Sequence, residues 1–383
     1  MIQEASWRDA RVAAAQPWNV LPSEKKELSL CADRTVFENI YALVELPTYA
    51  TSAMDGYAVA GSSPWKIVGE IKAGKPMESV LSDGTAVKIA TGGVIPEGTY
   101  GVLRWENATV VGEILTGEVA HNQEIRPAGL ESEKGALLAP KGTVLNPGLI
   151  GLLAAAGHDT IYVVTKPRVK IILLGDEIQL DGIPSNGLVR DALGPQLPAW
   201  LHRMGVEVIE IKYVSDELEL VVDAIRIALV DSDIVITTGG TADGPRDHVH
   251  AAISALGGEL VVDRVKVRPG HPMLLASVAG KPLLGLPGNP QSAIVALLSL
   301  GQPMINSLLG HVGSALNSVI TGDDLDAPDG FTRLVLGNMV DGWFEMGEHL
   351  GSAMLRGLAN SSGFAVVEKS VEEGEIVAWL PLP

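Results

Sequence analysis

Between residues 166 and 306 the chain alternates short apolar runs with longer segments of helical period. Four runs have the length of a buried strand, namely residues 167–175, 207–214, 232–240 and 281–288. In the segments between and after them, apolar residues recur every three or four positions, as in a helix with one buried face. This alternation is typical of parallel βαβ units and predicts a doubly wound parallel sheet with helices on both faces.

The regions on either side of this α/β domain have a different pattern. Residues 10–45 look helical, residues 50–125 supply short strands separated by tight turns, and helical character returns at 146–157. The β-rich part is therefore expected to be inserted into a linking domain that both flanks build. A second β-like pattern follows the α/β domain and predicts a C-terminal β-domain. The predicted boundaries are 1–45 with 127–165 for the linking domain, 46–126 for the β-rich inserted domain, 166–306 for the α/β domain and 307–383 for the C-terminal β-domain.

Composition restricts the classes of function. At 383 residues, with 46% hydrophobic and 19% charged residues, the chain is expected to fold into several globular domains. A net charge of −18 argues against a nucleic-acid partner, because phosphate binding needs clustered Lys and Arg. Cys31 is the only cysteine, which fits a reducing cytoplasm. Because we see no signal-peptide core and no run of about eighteen apolar residues, we expect a cytoplasmic protein that is not inserted in a membrane.

Ligands of doubly wound sheets bind beyond the carboxyl ends of the strands, so the loops there are candidate sites. In the first loop Gly175 allows a turn that exposes Asp176 and Glu177. In the second, residues 237–249, the amides of Gly239 and Gly240 could hold an anion, and Asp247 is placed to cap the next helix.

The third loop, residues 286–293, has Pro287 and Gly288 in a turn and Asn289 before a helix. Turns and helix caps explain each of these loops taken singly, because the same residue types dominate both. Their placement after successive strands favours a shared site.

A basic strip lies between the second and third loops. Arg264, Lys266 and Arg268 alternate, so on one strand they share a face that could bind phosphate or another oxyanion. A charged edge strand that resists aggregation would have the same sequence, and this alternative stays open. His271 is expected to be a hydrogen-bonding turn residue, because no histidine or cysteine lies at a metal-ligand spacing from it.

Asp55, in the stretch TSAMDGYAV, allows two interpretations. Asp55 and Gly56 are a common turn pair, but the carboxylate could also bind a metal or position a charged substrate at the start of a strand. The chain has no nucleophile elbow, phosphate-binding Walker loop or dinucleotide fingerprint. What remains is a set of carboxylates beside a basic strip, which suits a hard divalent cation and a phosphorylated ligand.

Several motifs in order resemble one known family. They are SAMDGYAV at 52–59, IATGGVIPEGTYGVLRWE at 89–106, TTGGTADGPRDHV at 237–249, VRPGHP at 267–272, LPGNPQSA at 286–293 and GSAML at 351–355. Over about residues 8–370 the chain is similar to the molybdopterin molybdenumtransferases, the MoeA proteins of bacteria and the E domain of gephyrin. The resemblance implies an elongated homodimer of four-domain subunits with its active site at the dimer interface.

The implied reaction takes adenylylated molybdopterin from molybdopterin adenylyltransferase, releases AMP in a molybdate- and Mg²⁺-dependent step, and inserts molybdenum into the dithiolene. Asp55 is implied to reach the neighbouring subunit's pocket. The resemblance implies catalytic roles for Asp55, Thr91, Glu177 and Asp247, of which Asp55, Glu177 and Asp247 would also bind the metal. The implied cofactor-binding residues are Asp216, Gly239, Gly240, Arg264, Arg268, Pro287, Gly288, Asn289 and Ser292.

Four departures from the family pattern support an alternative. The basic loop is reduced to RPAGLE at 126–131, DAL at 191–193 lacks an amide, and RPGHP and GSAML each differ at one or more positions. A gephyrin-like scaffold that binds a membrane receptor or a tubulin-like protein would tolerate these losses. Such a scaffold would hold a peptide partner at its C-terminal domain. Adenylylation is a weaker alternative, because it rests on the α/β domain alone.

Overall fold

A computed structural model describes the chain except for residues 17, 73, 243, 245–246 and 312–314. Its central sheet has seven strands, and the last four in its order are mutually parallel, as predicted. The order across the sheet is Ile2–Ala5, Glu259–Val265, Leu274–Val278, Lys281–Leu286, Ile234–Thr238, Arg168–Leu174 and Glu207–Val214. The strand Leu274–Val278 is antiparallel to both neighbours, because a tight turn at Ala279 and Gly280 joins it to the next strand.

Helices cover both faces of this sheet, which confirms the doubly wound fold. Successive strand residues point to opposite faces, so Ile171 packs into one hydrophobic core and Ile172 into the other. One face carries Leu218–Asp231 and Val249–Ala255, and the other carries Trp7–Ala15, Leu193–Arg203 and the continuous helical stretch Pro290–Leu309.

The stretch Pro290–Leu309 is one continuous helical stretch of 20 residues. It consists of Pro290–Ala296, a π-helical segment Leu297–Gly301, and Gln302–Leu309. Within the described residues it is the one helix that is long and apolar enough to cross a membrane, by length and composition only. Since 83% of its apolar window is buried inside the protein, packing of the core accounts for its composition.

The N-terminal segment also differs from the prediction. The first helix ends at Ala15, and the preceding strand Ile2–Ala5 pairs in parallel with Glu259–Val265. Trp7 is buried in the same core, where its Nε1 donates a hydrogen bond to Ser299 Oγ at 2.8 Å. The first fifteen residues therefore pack with the central sheet and not with the linking domain, because a distant strand offers pairing that local helical periodicity does not reveal.

Strands from both flanks of the inserted region pair with each other and form what we call the linking region. Ser23–Glu27 pairs with Thr160–Val164, and Ile40–Tyr41 pairs with Leu137–Ala139. The short helix Leu28–Leu30 and the helix Pro147–Ala155 close one core over these strands.

The inserted residues form a six-stranded sheet, which we call the small sheet. Its order is Gly101–Arg104, Gly56–Val59, Thr85–Ile89, Trp65–Ile71, Ile114–Thr116 and Thr109–Val111. A short helix, Trp105–Asn107, follows the first of these strands. Beside the sheet, Thr51–Ser52 pairs with Ile125–Arg126.

The C-terminal residues form a closed ring of strands, which we call the barrel. Thr332–Val340 pairs on its two sides with Trp343–Met346 and Gly363–Val367, and Asn317–Thr321 and Ile376–Pro381 complete the ring. Val267–Arg268 adds to Thr332–Val340 from outside the ring, and the helix Leu355–Ala359 precedes Gly363–Val367. In the central domain, Ile178–Gln179 and Val189–Arg190 form a separate short parallel pair.

Candidate functional site

A cavity of about 370 Å³ lies between the carboxyl edge of the central sheet and the barrel. Three motifs that are far apart in the sequence line it, namely VRPGHP, LPGNPQSA and GSAML. Four of the predicted cofactor-binding residues, Arg268, Pro287, Asn289 and Ser292, are therefore brought together. We call this space the basic cavity.

Close backbone contacts hold these three loops in place. Gly270 has φ of +102°, and a Cβ there would approach the carbonyl oxygen of Ser292 to 3.2 Å. The backbone nitrogen of Gln291 donates to the Ser352 carbonyl at 3.0 Å, and Asn289 Nδ2 donates to Ser352 Oγ at 3.3 Å. Asn289 occupies the cap position of its helix, but its side chain makes no capping hydrogen bond and reaches the GSAML loop instead.

Two arginines stand side by side in the basic cavity. Arg268 and Arg333 are register partners on adjacent parallel strands, and both line the cavity. Like charges placed opposite each other destabilise a sheet, so an anion held between them would relieve the repulsion. The Arg268 guanidinium also lies over the Phe331 ring, 5.0 Å from its centroid, and Arg333 Nη1 donates to the Asp326 carbonyl at 3.2 Å.

Neutral donors complete the cavity. Ser292 is 4% exposed, and its hydroxyl makes no hydrogen bond to any residue that the structure describes. His271 also lines the cavity, and its Nε2 lies 2.9 Å from Glu4 Oε2. His271 is thus a hydrogen-bonded turn residue, as expected. The set of two guanidinium groups, an imidazole and hydroxyls is suited to an oxyanion.

The sequence did not reveal every lining residue. Arg333 is a lone cation at the start of an apolar strand, and nothing local distinguishes it from an ordinary surface arginine. Ser352 could have been found, because it belongs to the quoted GSAML motif. Only the pairing with Val267–Arg268 brings Arg333 to the site.

The predicted basic strip is not one strand, which corrects the placement of Arg264. Arg264 has φ of +60° near the end of Glu259–Val265, whereas Arg268 belongs to a strand that pairs with the barrel. A left-handed residue interrupts the alternation on which the prediction depended. Arg264 is absent from the lining of the basic cavity, and its Nε lies 3.8 Å from Asp263 Oδ1.

An acidic cluster follows two adjacent parallel strands. The backbone nitrogen of Asp216 donates to Asp176 Oδ1 at 3.1 Å, and that of Asp176 donates to Asp216 Oδ2 at 3.3 Å. Burial raises the pKa of the Asp216 carboxyl group, and the charges of Asp176 and Glu177 raise it further, against a lowering by the Asp176 amide and by His248. The three acids are therefore mutually close.

The second glycine loop has a clear structural role. Gly239 and Gly240 have φ of +80° and +66°, and a Cβ on Gly239 would lie 2.9 Å from the Leu174 carbonyl oxygen. Asp247 accepts a hydrogen bond from the backbone nitrogen of Gly244, and the next helix begins only at Val249. Asp247 thus closes its own loop and does not cap the helix, which corrects that expectation.

Gly288 lies against this loop. A Cβ added at Gly288 would be 3.8 Å from the Cα of Gly239. The backbone nitrogen of Gly239 also donates to the Leu286 carbonyl at 2.8 Å. The second and third glycine loops are therefore packed together at one edge of the sheet, as the strand order predicted.

Asp55 lies in the small sheet, immediately before Gly56–Val59. Its Oδ1 accepts hydrogen bonds from the Thr91 backbone nitrogen at 2.7 Å and from Thr91 Oγ1 at 3.0 Å. These two bonds, the backbone one first, lower the pKa of the exposed Asp55 carboxyl group. Arg126, from the altered RPAGLE loop, is the register partner of Thr51 close by. The structure thus joins two predicted catalytic residues that are 36 positions apart.

The predicted metal ligands are not assembled within one chain. Asp55 belongs to the small sheet, whereas Glu177 and Asp247 follow strands of the central sheet. Across the described residues, no group of three His, Cys, Asp or Glu side chains is placed to hold a metal ion. We therefore assign no chemical step to Mg²⁺.

The altered DAL segment also has a structural explanation. Asp191 Oδ1 accepts hydrogen bonds from the backbone nitrogens of Leu193 and Gly194, at 3.0 and 2.9 Å, and so caps the helix Leu193–Arg203. Leu193 itself is 6% exposed and packs in the hydrophobic core. The position where the family pattern has an amide is thus a core position in this chain.

Comparison with known proteins identifies two domain families. The MoeA N-terminal region (domain I and II) matches residues 5–157, and a probable molybdopterin binding domain matches residues 170–307. The molybdopterin molybdenumtransferase of Staphylococcus aureus (strain COL) is 28% identical over 330 residues, covering 82% of this chain and 79% of that protein. The enzyme of the same name from Staphylococcus epidermidis (strain ATCC 12228) is 28% identical over 315 residues, covering 78% and 75%.

Solved structures agree over the full length. The crystal structure of a molybdopterin biosynthesis MoeA protein from Pyrococcus horikoshii is 26% identical, with a TM-score of 0.83 and 99% of each chain covered. A molybdenum cofactor biosynthesis protein from Pyrococcus furiosus, 18% identical with a TM-score of 0.64 and 99% of each chain covered, shares the fold.

Proposed function

The chain belongs to the MoeA family of molybdopterin molybdenumtransferases, which act in molybdenum cofactor biosynthesis, and we propose that it inserts molybdate into adenylylated molybdopterin with release of AMP. The adjacency of Arg268 and Arg333 in the basic cavity supports this most directly. Two neighbouring guanidinium groups without a bound anion are unfavourable, and a doubly charged oxyanion matches both.

The basic cavity is proposed as the molybdate site. Arg268 and Arg333 would neutralise the dianion, and the hydroxyls of Ser292 and Ser352 would donate to oxygen atoms that the guanidinium groups leave free. His271 lies at the rim, where its Nε2 is engaged with Glu4 Oε2. Arg268 stands where the family usually has lysine, and its planar fork can donate two parallel hydrogen bonds to an oxyanion.

The organic substrate is proposed to lie along the carboxyl edge of the central sheet. The loops of Gly239 and Gly288 bring backbone close to this edge, and the acidic cluster of Asp176, Glu177 and Asp216 lies beside them. The two glycine loops would hold the pterin and its phosphate, and the acids would orient its polar groups. Asp247 would act indirectly here, by keeping the loop after Thr238 closed.

Asp55 is proposed to complete this site from a second copy of the chain. Its own subunit places Asp55 on the small sheet, held by Thr91, rather than among the acids of the central domain. An ionised Asp55 beside the partner's acidic cluster would supply the last hard oxygen ligand that a divalent cation prefers. Dependence on Mg²⁺, a homodimer, a cytoplasmic location and delivery of substrate by molybdopterin adenylyltransferase are parts of this proposal.

The experiment is molybdenum insertion from purified adenylylated molybdopterin with molybdate and Mg²⁺. The native chain is compared with Asp55→Asn and with a matched control, Asp83→Asn, an exposed aspartate of the same β-rich region. Turnover by the native and control chains, with at least a hundredfold loss in Asp55→Asn, is the expected result. Full activity of Asp55→Asn would contradict the role of Asp55, and no turnover by folded native protein would favour the scaffold alternative.

A further inference from the structure

A second and larger cavity, of about 750 Å³, lies at the amino edge of the central sheet. The strand Ser23–Glu27 of the linking region forms one wall, and the start of Arg168–Leu174 with the end of Leu193–Arg203 forms the other. It is therefore on the opposite side of the sheet from the loops that carry the proposed reaction. We call it the amino-edge cleft.

Most charged residues that line the amino-edge cleft are basic. They are Lys26, Arg34, Lys166 and Arg168, against Glu24 and Glu207. Such a concentration of positive charge is unusual in a chain with a net charge of −18. It attracts anions locally even though the whole protein repels them.

One of the two acids is already neutralised. Arg34 is 5% exposed and donates to Glu24 Oε1 as well as to the Val164 carbonyl at 2.7 Å. This hydrogen bond lowers the pKa of the Glu24 carboxyl group, and the charges of Lys26 and Lys166 lower it further. Both ammonium groups therefore act on the Glu24 carboxylate from within the same cleft.

The remaining cations have no fixed partner. Among the described residues, the side chains of Lys26, Lys166 and Arg168 make no hydrogen bond or ion pair. Glu207 lines the cleft, and the Asp233 carboxylate accepts from the Arg168 backbone nitrogen at 2.8 Å, so these two acids offset part of the charge. A positive surplus is left at Lys26 and Lys166.

Apart from the polar residues Thr165 and His202, the rest of the lining is apolar. Its members are Leu30, Ala32, Pro198, Val206 and Val208. A cleft that combines apolar walls with a few convergent charged groups is typical of small-molecule sites, and its volume lies within the usual range for them, roughly 300–1,000 Å³.

We propose that the amino-edge cleft binds a small molecule that carries a phosphate-type oxyanion and an apolar ring, separately from the basic cavity. The oxyanion would lie between Lys26 and Lys166, within reach of Arg168, and the ring would pack on Pro198 and Val206. The cleft joins the linking region to the central sheet, so its ligand would contact both.

Calorimetric titration with inorganic pyrophosphate at low salt tests the anion site. The variants are Lys26→Gln/Lys166→Gln in the cleft, Arg268→Gln/Arg333→Gln in the basic cavity, and a control pair of exposed lysines, Lys134→Gln/Lys369→Gln. Native and control proteins should bind at least two pyrophosphates per chain, one in the amino-edge cleft and one in the basic cavity. Each cleft or cavity variant should weaken one site by at least about tenfold and leave the other unchanged, since it removes charged hydrogen-bond donors to the anion.

Two unweakened sites in Lys26→Gln/Lys166→Gln, with an unchanged melting temperature, would overturn the cleft site. A single native site that disappears in Arg268→Gln/Arg333→Gln would also overturn it. If the basic cavity were not an anion site, the result would be different, because Arg268→Gln/Arg333→Gln would then bind pyrophosphate like the native protein.

A second titration tests the apolar part of the ligand. In the Arg268→Gln/Arg333→Gln background, 1-naphthyl phosphate should bind at least about tenfold more tightly than inorganic phosphate, because its ring is removed from water. Equal affinities would overturn the ring-binding part of the proposal.

Discussion

Thr91 donates two hydrogen bonds to one oxygen atom of Asp55, from its backbone nitrogen at 2.7 Å and from Oγ1 at 3.0 Å. The Asp55 carboxylate is exposed. Among the described residues, Thr91 is the one hydrogen-bond partner of this carboxylate, so Thr91 fixes its direction. Hydrogen bonds to the charged form keep a carboxyl group ionised at lower pH. Asp55 is thus held in one orientation, and its ionised form is favoured.

We expect Thr91→Val to reduce insertion activity by roughly tenfold, since it removes one charge-assisted hydrogen bond and retains the backbone donor. With only the backbone bond left, the pKa of Asp55 should rise towards its ordinary value. The acidic limb of the pH–rate profile should therefore move to higher pH. Thr91→Ser keeps the hydroxyl and is the matched control. A profile that is the same in Thr91→Val and Thr91→Ser would argue against the role of this bond.

Gly56→Ala should destabilise the protein by about 1–3 kcal/mol, as overpacking of a core usually does. A Cβ at Gly56 would lie 2.1 Å from the Leu103 carbonyl oxygen, so the strand must shift. Activity should fall too, since Asp55 is the preceding residue. Gly69→Ala is the control, because that position in the same sheet has open space around an added Cβ. Chemical denaturation would measure the free energy of unfolding of both variants. Equal losses in Gly56→Ala and Gly69→Ala would contradict the packing argument.

Arg268→Gln should raise the apparent KM for molybdate by about 10- to 100-fold, because charge-assisted hydrogen bonds contribute about 1.5–3 kcal/mol. Arg268→Lys retains the charge and should be affected much less. Steady-state insertion kinetics at varied molybdate provide the measurement. If Arg268→Gln changed kcat alone, with the KM for molybdate unaltered, the basic cavity would not be the molybdate site.

His311 should make stability depend on pH. Burial lowers the pKa of His311, whose Nε2 lies 2.7 Å from Thr35 Oγ1. A histidine with a lower pKa in the folded state binds fewer protons there. Its contribution is therefore complete above the unfolded pKa, about 6.5, and is lost as pH falls through the window below it.

Denaturation of the native protein and of His311→Gln between pH 5 and pH 8 measures this dependence. The native free energy of unfolding should fall below pH 6.5 more steeply than that of the variant. His121→Gln, which changes an exposed histidine, serves as control and should follow the native curve. Parallel curves for His311→Gln and the native protein would exclude the effect.

Much of the site could be predicted from local patterns. The loops after Leu174, Thr238 and Leu286 could be predicted to lie together, because parallel strands of one sheet place their carboxyl ends at one edge. The strip from Arg264 to Arg268 was predicted as one face and is divided between two sheets. The left-handed backbone of Arg264 interrupts the alternation. The pattern of residues in the sequence does not reveal this conformation.

The sequence by itself determined the four parallel strands between residues 166 and 306 and the helices that alternate with them, because burial on one or both faces imposes a period on the chain. It also determined which loops carry glycine and acids, and through its motifs the family. Only the tertiary structure decided that Arg333 stands beside Arg268, that Thr91 holds Asp55, and that Ile2–Ala5 joins the central sheet. These relationships join residues that are 36 to 260 positions apart. Contacts over such separations leave no local period, so they follow from chain packing alone.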